Sequence, residues 1–255
     1  MRILLTNDDG YHAPGLKVLE GIAATLSDDV WIVAPSEEQS GTGRALTLTR
    51  PIRVRRHGDK RFAVAGTPTD AVMMALGELM RDCKPDLILS GVNRGGNLGE
   101  DVLYSGTVSA AAEGALAGVR AIALSQRYPD GDRAAVSFSA AEAWGERVLR
   151  PLLDAPLARR TLVNVNFPPV SPDAVSGVRV VRQGLRDYGR VRMDRRDDPR
   201  GFPYYWLAMD SVAATADADT DLGAACDDRI TVTPLHLDLT HDASLAMLAD
   251  VYRKA

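Results

Sequence analysis

Two adjacent carboxylates stand at the end of the first apolar run of the chain. The run Ile3–Leu5 leads through Thr6 and Asn7 into Asp8, Asp9 and Gly10. A short strand that ends in this way carries negative charge to a sheet edge, where open α/β sheets bind ligands. Two interpretations stay open for the acids. They are ligands of a cation that offsets their mutual repulsion, or part of a turn whose side chains bond to their own backbone.

Three later segments, rich in hydroxyl, amide and glycine residues, follow further apolar runs, so we expect them at the same edge. They are 34–44, Ser90–Asn97 and Tyr104–Val108. Ser40 and Asn93 would add hard oxygen donors to the two acids, of the kind that bind Mg²⁺, Mn²⁺ or Ca²⁺. With four histidines and two cysteines in the chain, zinc is disfavoured. Taken singly, Ser40 and Asn93 are also typical turn residues.

Ser105, Gly106 and Thr107 open an Ala-rich helical segment. Hydroxyls and unpaired N–H groups at a helix start bind phosphate, although a plain Ser/Thr N-cap would look the same. A divalent cation beside such a helix start is suited to metal-assisted hydrolysis of a phosphate ester. The chain has neither a GxxxxGK[ST] loop nor a GxGxxG after the first strand, so P-loop phosphoryl transfer and dinucleotide-dependent dehydrogenation are unsupported.

The elements that must position these residues alternate between strand and helix patterns, which predicts an α/β fold on a mostly parallel sheet. Apolar runs predict strands at 2–6, 30–34, 62–65, 86–90, 119–124 and 161–166. Apolar residues at three and four spacing predict helices from Pro14, from Thr69, over 108–116 and over about 137–153. We therefore expect a Rossmann-like catalytic core over 1–169.

Residues 170–255 differ in character, and we expect them to form a β arm and a terminal helix used in oligomerisation. Strands are predicted at 178–182, 204–208 and 230–233, and a helix at about 243–252. The Arg- and Asp-rich stretch 186–200 is interpreted as a mobile or solvated loop. The β segments around it would form a projecting hairpin, which needs a partner surface because an isolated hairpin is marginal in water.

The composition of the chain indicates which binding partners and which cellular compartment to expect. The chain has 255 residues, of which 45% are hydrophobic and 25% charged, and a net charge of -4, so polymeric nucleic acid is an unsupported partner. Cys83 and Cys226 lack CxxC spacing and are expected to be reduced packing residues, as suits the cytoplasm. No leader pattern and no apolar run near the ~20 residues of a membrane span is present.

Four motifs carry a resemblance to a known family. They are RILLTNDDGYHAPGL from Arg2, GTPTDAV from Gly66, LSGVNRGGNLGEDVLYSGTVSAAAEG from Leu89 and TPLHLDLT from Thr233. In this order, from Met1 to Thr240, they resemble the SurE (survival protein E) family of divalent-metal-dependent nucleoside 5′- and 3′-monophosphate phosphatases. The resemblance implies a Rossmann-like core, a cytoplasmic location, and a homodimer or homotetramer with exchanged C-terminal segments.

The resemblance also assigns residues. It places one Mg²⁺ or Mn²⁺, with Ca²⁺ as a substitute in a crystal, on Asp8, Asp9, Ser40 and Asn93, and it places phosphate beside Asn97, Ser105, Gly106 and Thr107. A metal-activated water is the expected nucleophile rather than a free Asp8 or Asp9 carboxylate. The alternatives are a stress-regulatory protein that only binds nucleotide at this site, and a short-chain polyphosphatase.

Arg44, His236 and His12 each have two interpretations. Arg44 stands where several relatives have a small polar residue or histidine, and is either a phosphate donor or a solvated arginine. His236 is either a proton donor or a structural residue of the C-terminal segment. His12 is equally suited to the site and to a helix-entry contact.

Overall fold

The computed structural model describes residues 1–129, 137–186, 191–209 and 217–253. The strands are Arg2–Thr6 (β1), Asp29–Pro35 (β2), Val54–Gly58 (β3), Arg61–Val64 (β4), Leu87–Arg94 (β5), Arg120–Gln126 (β6), Thr161–Phe167 (β7), Val178–Val180 (β8), Val191–Asp197 (β9), Pro203–Met209 (β10) and Ile230–His236 (β11). The α-helices are Pro14–Ala24 (α1), Pro68–Met74 (α2), Gly106–Leu116 (α3), Ser139–Leu153 (α4), Asp221–Ala225 (α5) and Asp242–Arg253 (α6).

A nine-stranded sheet forms the centre of the described chain, in the order β3-β4-β2-β1-β5-β6-β7-β11-β8. The strands from β4 to β7 in this order are all parallel, whereas β3 and β11 pair antiparallel with β4 and β7. The sheet confirms the predicted Rossmann-like α/β fold. β8 and β11 extend the same sheet from the C-terminal third of the chain.

Helices cover both faces of the sheet. Leu16 and Leu19 of α1 and Leu149 of α4 pack with Ile3, Leu5 and other residues of one face. Val72 of α2 and the alanines of α3 pack with Leu4 and Ile88 on the opposite face. Because side chains alternate along a strand, β1 supplies apolar residues to both clusters.

Local sequence explains where the helices that flank the site begin. Pro14 stands in the first turn of α1, where its missing N–H costs nothing. Thr67 and Asp70 form a reciprocal capping box at the start of α2. Small residues let α3 lie close to the sheet, since a Cβ on Gly114 would come within 2.5 Å of the Ile88 side chain.

The interpretation of 186–200 as a loop was wrong for its central part. Val191–Asp197 forms β9, which pairs antiparallel with β10. The hairpin is therefore β9–β10, and not a pairing of the segments that flank the charged stretch. Residues 187–190 lie outside the described part of the chain. Each residue of β9 lies opposite a residue of β10, such as Arg196 opposite Tyr204, and cross-strand pairs of this kind stabilise a hairpin.

The hairpin and α6 leave apolar side chains exposed. Tyr205, Trp206 and Leu207 of β10 are 57–63% exposed, and no residue of α6 is buried. Both cysteines are free, and Cys226 is exposed rather than packed. No helix in the described part of the chain has the length and apolar character that a membrane crossing requires.

Candidate functional site

The predicted site residues lie at a point where the chain changes direction across the sheet. From β1 the chain passes to β2 on one side, and it later returns to place β5 on the other side. Ligand sites of open α/β sheets lie at the carboxyl ends of the strands at such a point. Asp8 and Asp9 follow β1 after Asn7, and Asn93 lies at the carboxyl end of β5.

Asp8 is the buried acid of the pair, with only 4% of its surface exposed. Its Oδ1 accepts a hydrogen bond from the hydroxyl of Thr107, at the start of α3. Burial raises the pKa of Asp8 to about 7, against the lowering effect of the Thr107 hydroxyl. A cation bound beside a carboxylate so desolvated would favour its charged form.

Asp9 is half-buried, and its Oδ2 accepts a hydrogen bond from the backbone N–H of Arg94 at 3.0 Å. Its pKa is raised, chiefly by burial and further by the charge of Glu38, while the Arg94 N–H opposes the shift. Asn93 precedes Arg94, and its Nδ2 donates to the Gly95 carbonyl at 2.8 Å. This bond leaves the amide oxygen of Asn93 as the atom suited to a cation.

Asn7 contributes to the site in a way that the sequence did not single out. It is fully buried, and its Nδ2 donates to the Gly10 carbonyl at 2.8 Å. Gly10 has a φ of +100°, a conformation that favours glycine. The Asn7 side chain therefore closes a local turn on Gly10, whereas the carboxylates of Asp8 and Asp9 bond to Thr107 and to the Arg94 N–H and not to their own backbone. The Asn-Asp-Asp-Gly order was the available signal.

The Asn7 side chain also has an unsatisfied atom. Its Oδ1 is buried without a hydrogen-bond partner in the described part of the chain. A buried acceptor without a donor costs free energy, so an oxygen in this position beside two acids is suited to a cation or an ordered water.

Ser40 follows β2 in an exposed loop, and its hydroxyl donates to Glu38 Oε1 at 3.0 Å. The loop is tied to the acidic turn because the Gln39 N–H donates to the Asp8 carbonyl at 2.7 Å. The structure thus brings the Ser40 loop to the same edge as the acids, while the hydroxyl itself bonds within its own loop.

The start of α3 has the Ser N-cap that was one of its two interpretations, and it also contacts the acidic turn. Ser105 is the N-cap, since its hydroxyl accepts from the Val108 N–H at 3.1 Å. Thr107 contacts Asp8 through its hydroxyl and its backbone N–H. A Cβ on Gly106 would lie 2.7 Å from Asp8 Cβ and 3.0 Å from Asp8 Oδ2. The absence of a side chain at Gly106 is what lets the helix start approach the acid.

Asn97 is buried, and hydrogen bonds with residues of the neighbouring strands β6 and β7 hold it in place. Its N–H donates to Asn166 Oδ1 at 2.8 Å, and its side-chain Nδ2 donates to Ser125 Oγ at 2.9 Å. Its carbonyl accepts from Asn164 Nδ2 at 2.8 Å. These bonds hold the carboxyl end of the β5 segment against β6 and β7.

Arg44, His12 and His236 are not among the groups that interact with Asp8 or Asp9. Arg44 is exposed. Burial raises the pKa of half-buried Glu113 on α3, and the charge of Arg44 opposes this rise. His236 pairs with Thr161, at the amino end of β7, so within one chain it lies at the sheet edge opposite the site. His12 is exposed at the entry to α1, where its ring lies edge-on to Tyr11, with centroids 5.0 Å apart.

The donor set fits a hard divalent cation. Asp8 and Asp9 supply carboxylates, and Asn93 and Ser40 supply neutral oxygens at the same edge. Within the described residues, no group of three or more His, Cys, Asp and Glu is arranged to hold a metal ion, so a site here would combine the two acids with neutral oxygens. The pKa of both acids is raised because burial outweighs the contacts that oppose it, so a bound cation would favour their charged forms.

Comparison with known proteins identifies the family of the chain. The family model described as survival protein SurE matches residues 3–190. The chain is 65% identical over 254 residues to the 5′-nucleotidase SurE of Rhizorhabdus wittichii, covering 99% of this chain and 100% of that one. It is 54% identical over 250 residues to the 5′-nucleotidase SurE of Erythrobacter litoralis, covering 98% and 99%.

A solved structure shows the same fold. The SurE protein from Aquifex aeolicus superposes with a TM-score of 0.86 at 36% sequence identity, covering 99% of this chain and 100% of that chain. The family match spans more than half of the chain, and the relatives align over nearly its whole length. The chain belongs to the SurE family.

Proposed function

We propose that this protein is a divalent-metal-dependent phosphomonoesterase that hydrolyses nucleoside 5′- and 3′-monophosphates. The observation that carries the proposal is the contact between Asp8 and Thr107, which joins an acidic strand end to the start of a helix. An acidic cation site beside a helix N-terminus is suited to phosphate ester hydrolysis, because the cation can activate water and the helix start can receive the phosphate. The names of the relatives support the nucleotide as substrate.

The proposed ligands of one Mg²⁺ or Mn²⁺ are Asp8, Asp9, Ser40 and Asn93. When bound, the cation would acidify a water molecule and neutralise charge on the phosphate. The protein's own residues bind and orient the substrate. The N-terminus of α3 at Gly106 offers its dipole to the phosphate, while Thr107 holds the Asp8 carboxylate in place.

Assembly and compartment complete the proposal. We place the protein in the cytoplasm, which suits its two free cysteines. We expect a homodimer or homotetramer that exchanges C-terminal segments, because α6 and the β9–β10 hairpin expose apolar faces that a second copy would cover.

The test is hydrolysis of adenosine 5′-monophosphate, its 3′ isomer and an aryl phosphate, each with Mn²⁺ and with EDTA. Phosphate release with Mn²⁺ and its loss with EDTA are expected. Binding of the nucleotide without release of phosphate would instead favour the nucleotide-binding regulatory protein. Release from short polyphosphate but from neither nucleotide would favour the polyphosphatase.

A further inference from the structure

Asp221 is a fully buried acid at the start of α5, outside the proposed metal site. Its Oδ2 accepts from the Gly99 N–H at 2.9 Å, and its Oδ1 accepts from the Gly184 N–H at 2.8 Å. One carboxylate thus bridges the segment after β5 to a segment from the C-terminal third of the chain. Burying a charged group is costly unless it is hydrogen-bonded, so losing either bond would cost free energy. The two bonds therefore hold the start of α5, the segment of Gly99 and the segment of Gly184 together.

A second residue fixes the same glycine. Gln183 Nε2 donates to the Gly99 carbonyl at 3.0 Å, so both backbone groups of Gly99 are bound from the C-terminal side. Gly99 has a φ of +56°, and a Cβ there would lie 3.1 Å from Leu222 Cδ1 and 3.2 Å from the Gly184 carbonyl oxygen. The backbone of this turn therefore has little freedom to move.

Arg186 holds the residues on either side of Gly99. Its Nη1 donates to the Leu98 carbonyl at 3.1 Å, and its backbone N–H donates to Glu100 Oε2 at 3.1 Å. Its guanidinium also pairs with Asp101 Oδ2 at 3.1 Å, with only 16% of the Arg186 side chain exposed. A partly buried guanidinium with several acceptors has one preferred position.

The segment held in this way leads directly to the phosphate end of the site. Asn97 precedes Leu98, and the Asp101 carbonyl accepts from the Ser105 N–H at 3.0 Å. Ser105 is the N-cap of α3, whose Thr107 contacts Asp8. A displacement of the turn at Gly99 would therefore be transmitted to both ends of the Asn97–Ser105 loop.

We propose that Asp221, Gln183 and Arg186 are positioning residues that hold the Asn97–Ser105 loop in the geometry that binds phosphate. None of the three contacts Asp8 or Asp9, so they act through the loop rather than on the substrate. The inference rests on the proposed function, and it gives the C-terminal third of the chain a part in the site of the same subunit. Each oxygen of Asp221 has a separate backbone donor, which no neutral side chain of similar size can match.

The experiment compares the wild-type protein with Asp221→Ala, Gln183→Ala and Arg186→Lys. Calorimetry with Mn²⁺ present measures the affinity for inorganic phosphate, and a second titration measures the affinity for Mn²⁺ alone. We expect each variant to bind phosphate about tenfold more weakly, since small displacements of binding groups have effects of this size or larger. Mn²⁺ affinity should change by less than about twofold, because these residues do not touch the proposed ligands.

Asp219→Ala is the matched control. Asp219 lies two residues before Asp221, but its carboxylate is exposed and pairs with Arg179 at 3.3 Å. Phosphate affinity should stay unchanged in this variant. If Asp221→Ala fails to fold, Gln183→Ala and Arg186→Lys decide the question, because each leaves the buried carboxylate intact.

Variants that melt at a lower temperature but bind phosphate as tightly as the wild type would overturn the inference, since the contacts would then be structural only. Loss of Mn²⁺ affinity in step with phosphate affinity would also overturn it. The proposed function fails separately, through a wild-type protein that binds phosphate but releases none from a nucleotide.

Discussion

The hydroxyl of Thr107 donates a hydrogen bond to Oδ1 of Asp8, and the two residues come from different layers of the fold. Asp8 lies in the turn after β1, whereas Thr107 lies in the first turn of α3. The bond exists because Gly106 lets the helix start approach the acid. A position that the sequence assigned to phosphate is thus occupied by a side chain that orients the proposed metal ligand.

We predict that Asp8→Asn and Asp9→Asn abolish metal-dependent turnover while the protein still folds. Each substitution removes one carboxylate from the proposed site and also relieves repulsion between neighbouring acids. Initial rates with an aryl phosphate over a range of Mn²⁺ concentrations, together with thermal melts, measure both effects. Near-normal rates at low Mn²⁺ in either variant would place the metal elsewhere.

The metal-free protein should become less stable as the pH rises from about 4 to about 7. The ordinary pKa of an aspartate is 3.8, whereas the pKa of Asp8 in the folded chain is about 7. In this interval the folded state keeps a proton that the unfolded state has lost, so the free energy of unfolding falls with rising pH, by a few kcal/mol at most. Urea unfolding in EDTA at several pH values measures the slope.

Asp8→Asn is the control for the pH effect, because asparagine does not titrate there. The slope between pH 4 and 7 should be clearly smaller in the variant. An identical slope in both proteins would show that other groups dominate, with Asp9 the first to examine because its pKa is also raised by burial.

Gly106→Ala should weaken metal binding and lower activity. The new methyl group would lie 2.7 Å from Asp8 Cβ and 3.0 Å from Pro68 Cγ, so either the acid or α3 must move. Overpacking of this kind costs about 1–3 kcal/mol of stability. Gly21→Ala is the matched control, since nothing lies within 4 Å of a Cβ there. In Gly21→Ala metal binding should be unchanged. An equal loss of metal binding in both variants would show that the loss in Gly106→Ala does not come from crowding of Asp8.

Asn93→Ala should weaken Mn²⁺ binding but keep an activity that excess Mn²⁺ restores. Asn93 supplies a neutral oxygen to the proposed site, and water can replace such a ligand. The substitution also removes the bond to the Gly95 carbonyl. Activity that no Mn²⁺ concentration restores would mean that Asn93 has a role beyond coordination.

Much of the fold was predictable because its strands and helices carry strong periodic signals. β1, β5 and β7 each contain a short apolar run and are buried over most of their length, as expected for strands covered on both faces. The structure also contains β3, which was not predicted, because its residues Val54–Gly58 are exposed and mostly polar. α5 was missed since it has only five residues.

The site was predictable to the extent that it depends on local sequence. The acidic turn after β1 and the capped start of α3 could both be recognised from neighbouring residues. The role of Asp221 could not, because its bond to Gly99 joins residues 122 positions apart. Nor could the bond from Thr107 to Asp8, 99 positions apart, since it depends on how closely α3 approaches the sheet.

Assembly should depend on the apolar face of α6. Leu245, Leu248 and Tyr252 fall on one side of the helix, and each is 56–79% exposed. We predict that Leu245→Lys combined with Leu248→Lys shifts the protein toward the monomer in sedimentation, since charged side chains would have to be buried against a partner. Ala246→Lys places one such charge on the opposite side of the helix and should leave the sedimentation unchanged.

The hairpin gives an independent test of assembly. Tyr205 and Trp206 are 57% and 61% exposed on β10, and aromatic side chains bury on the order of 150 to 250 Å² each when packed. Tyr205→Ala combined with Trp206→Ala should therefore also reduce the oligomer, whereas Arg200→Ala, at the turn between β9 and β10, should not. If both the α6 and the hairpin variants sediment as the wild type does, the subunit contacts lie on another surface.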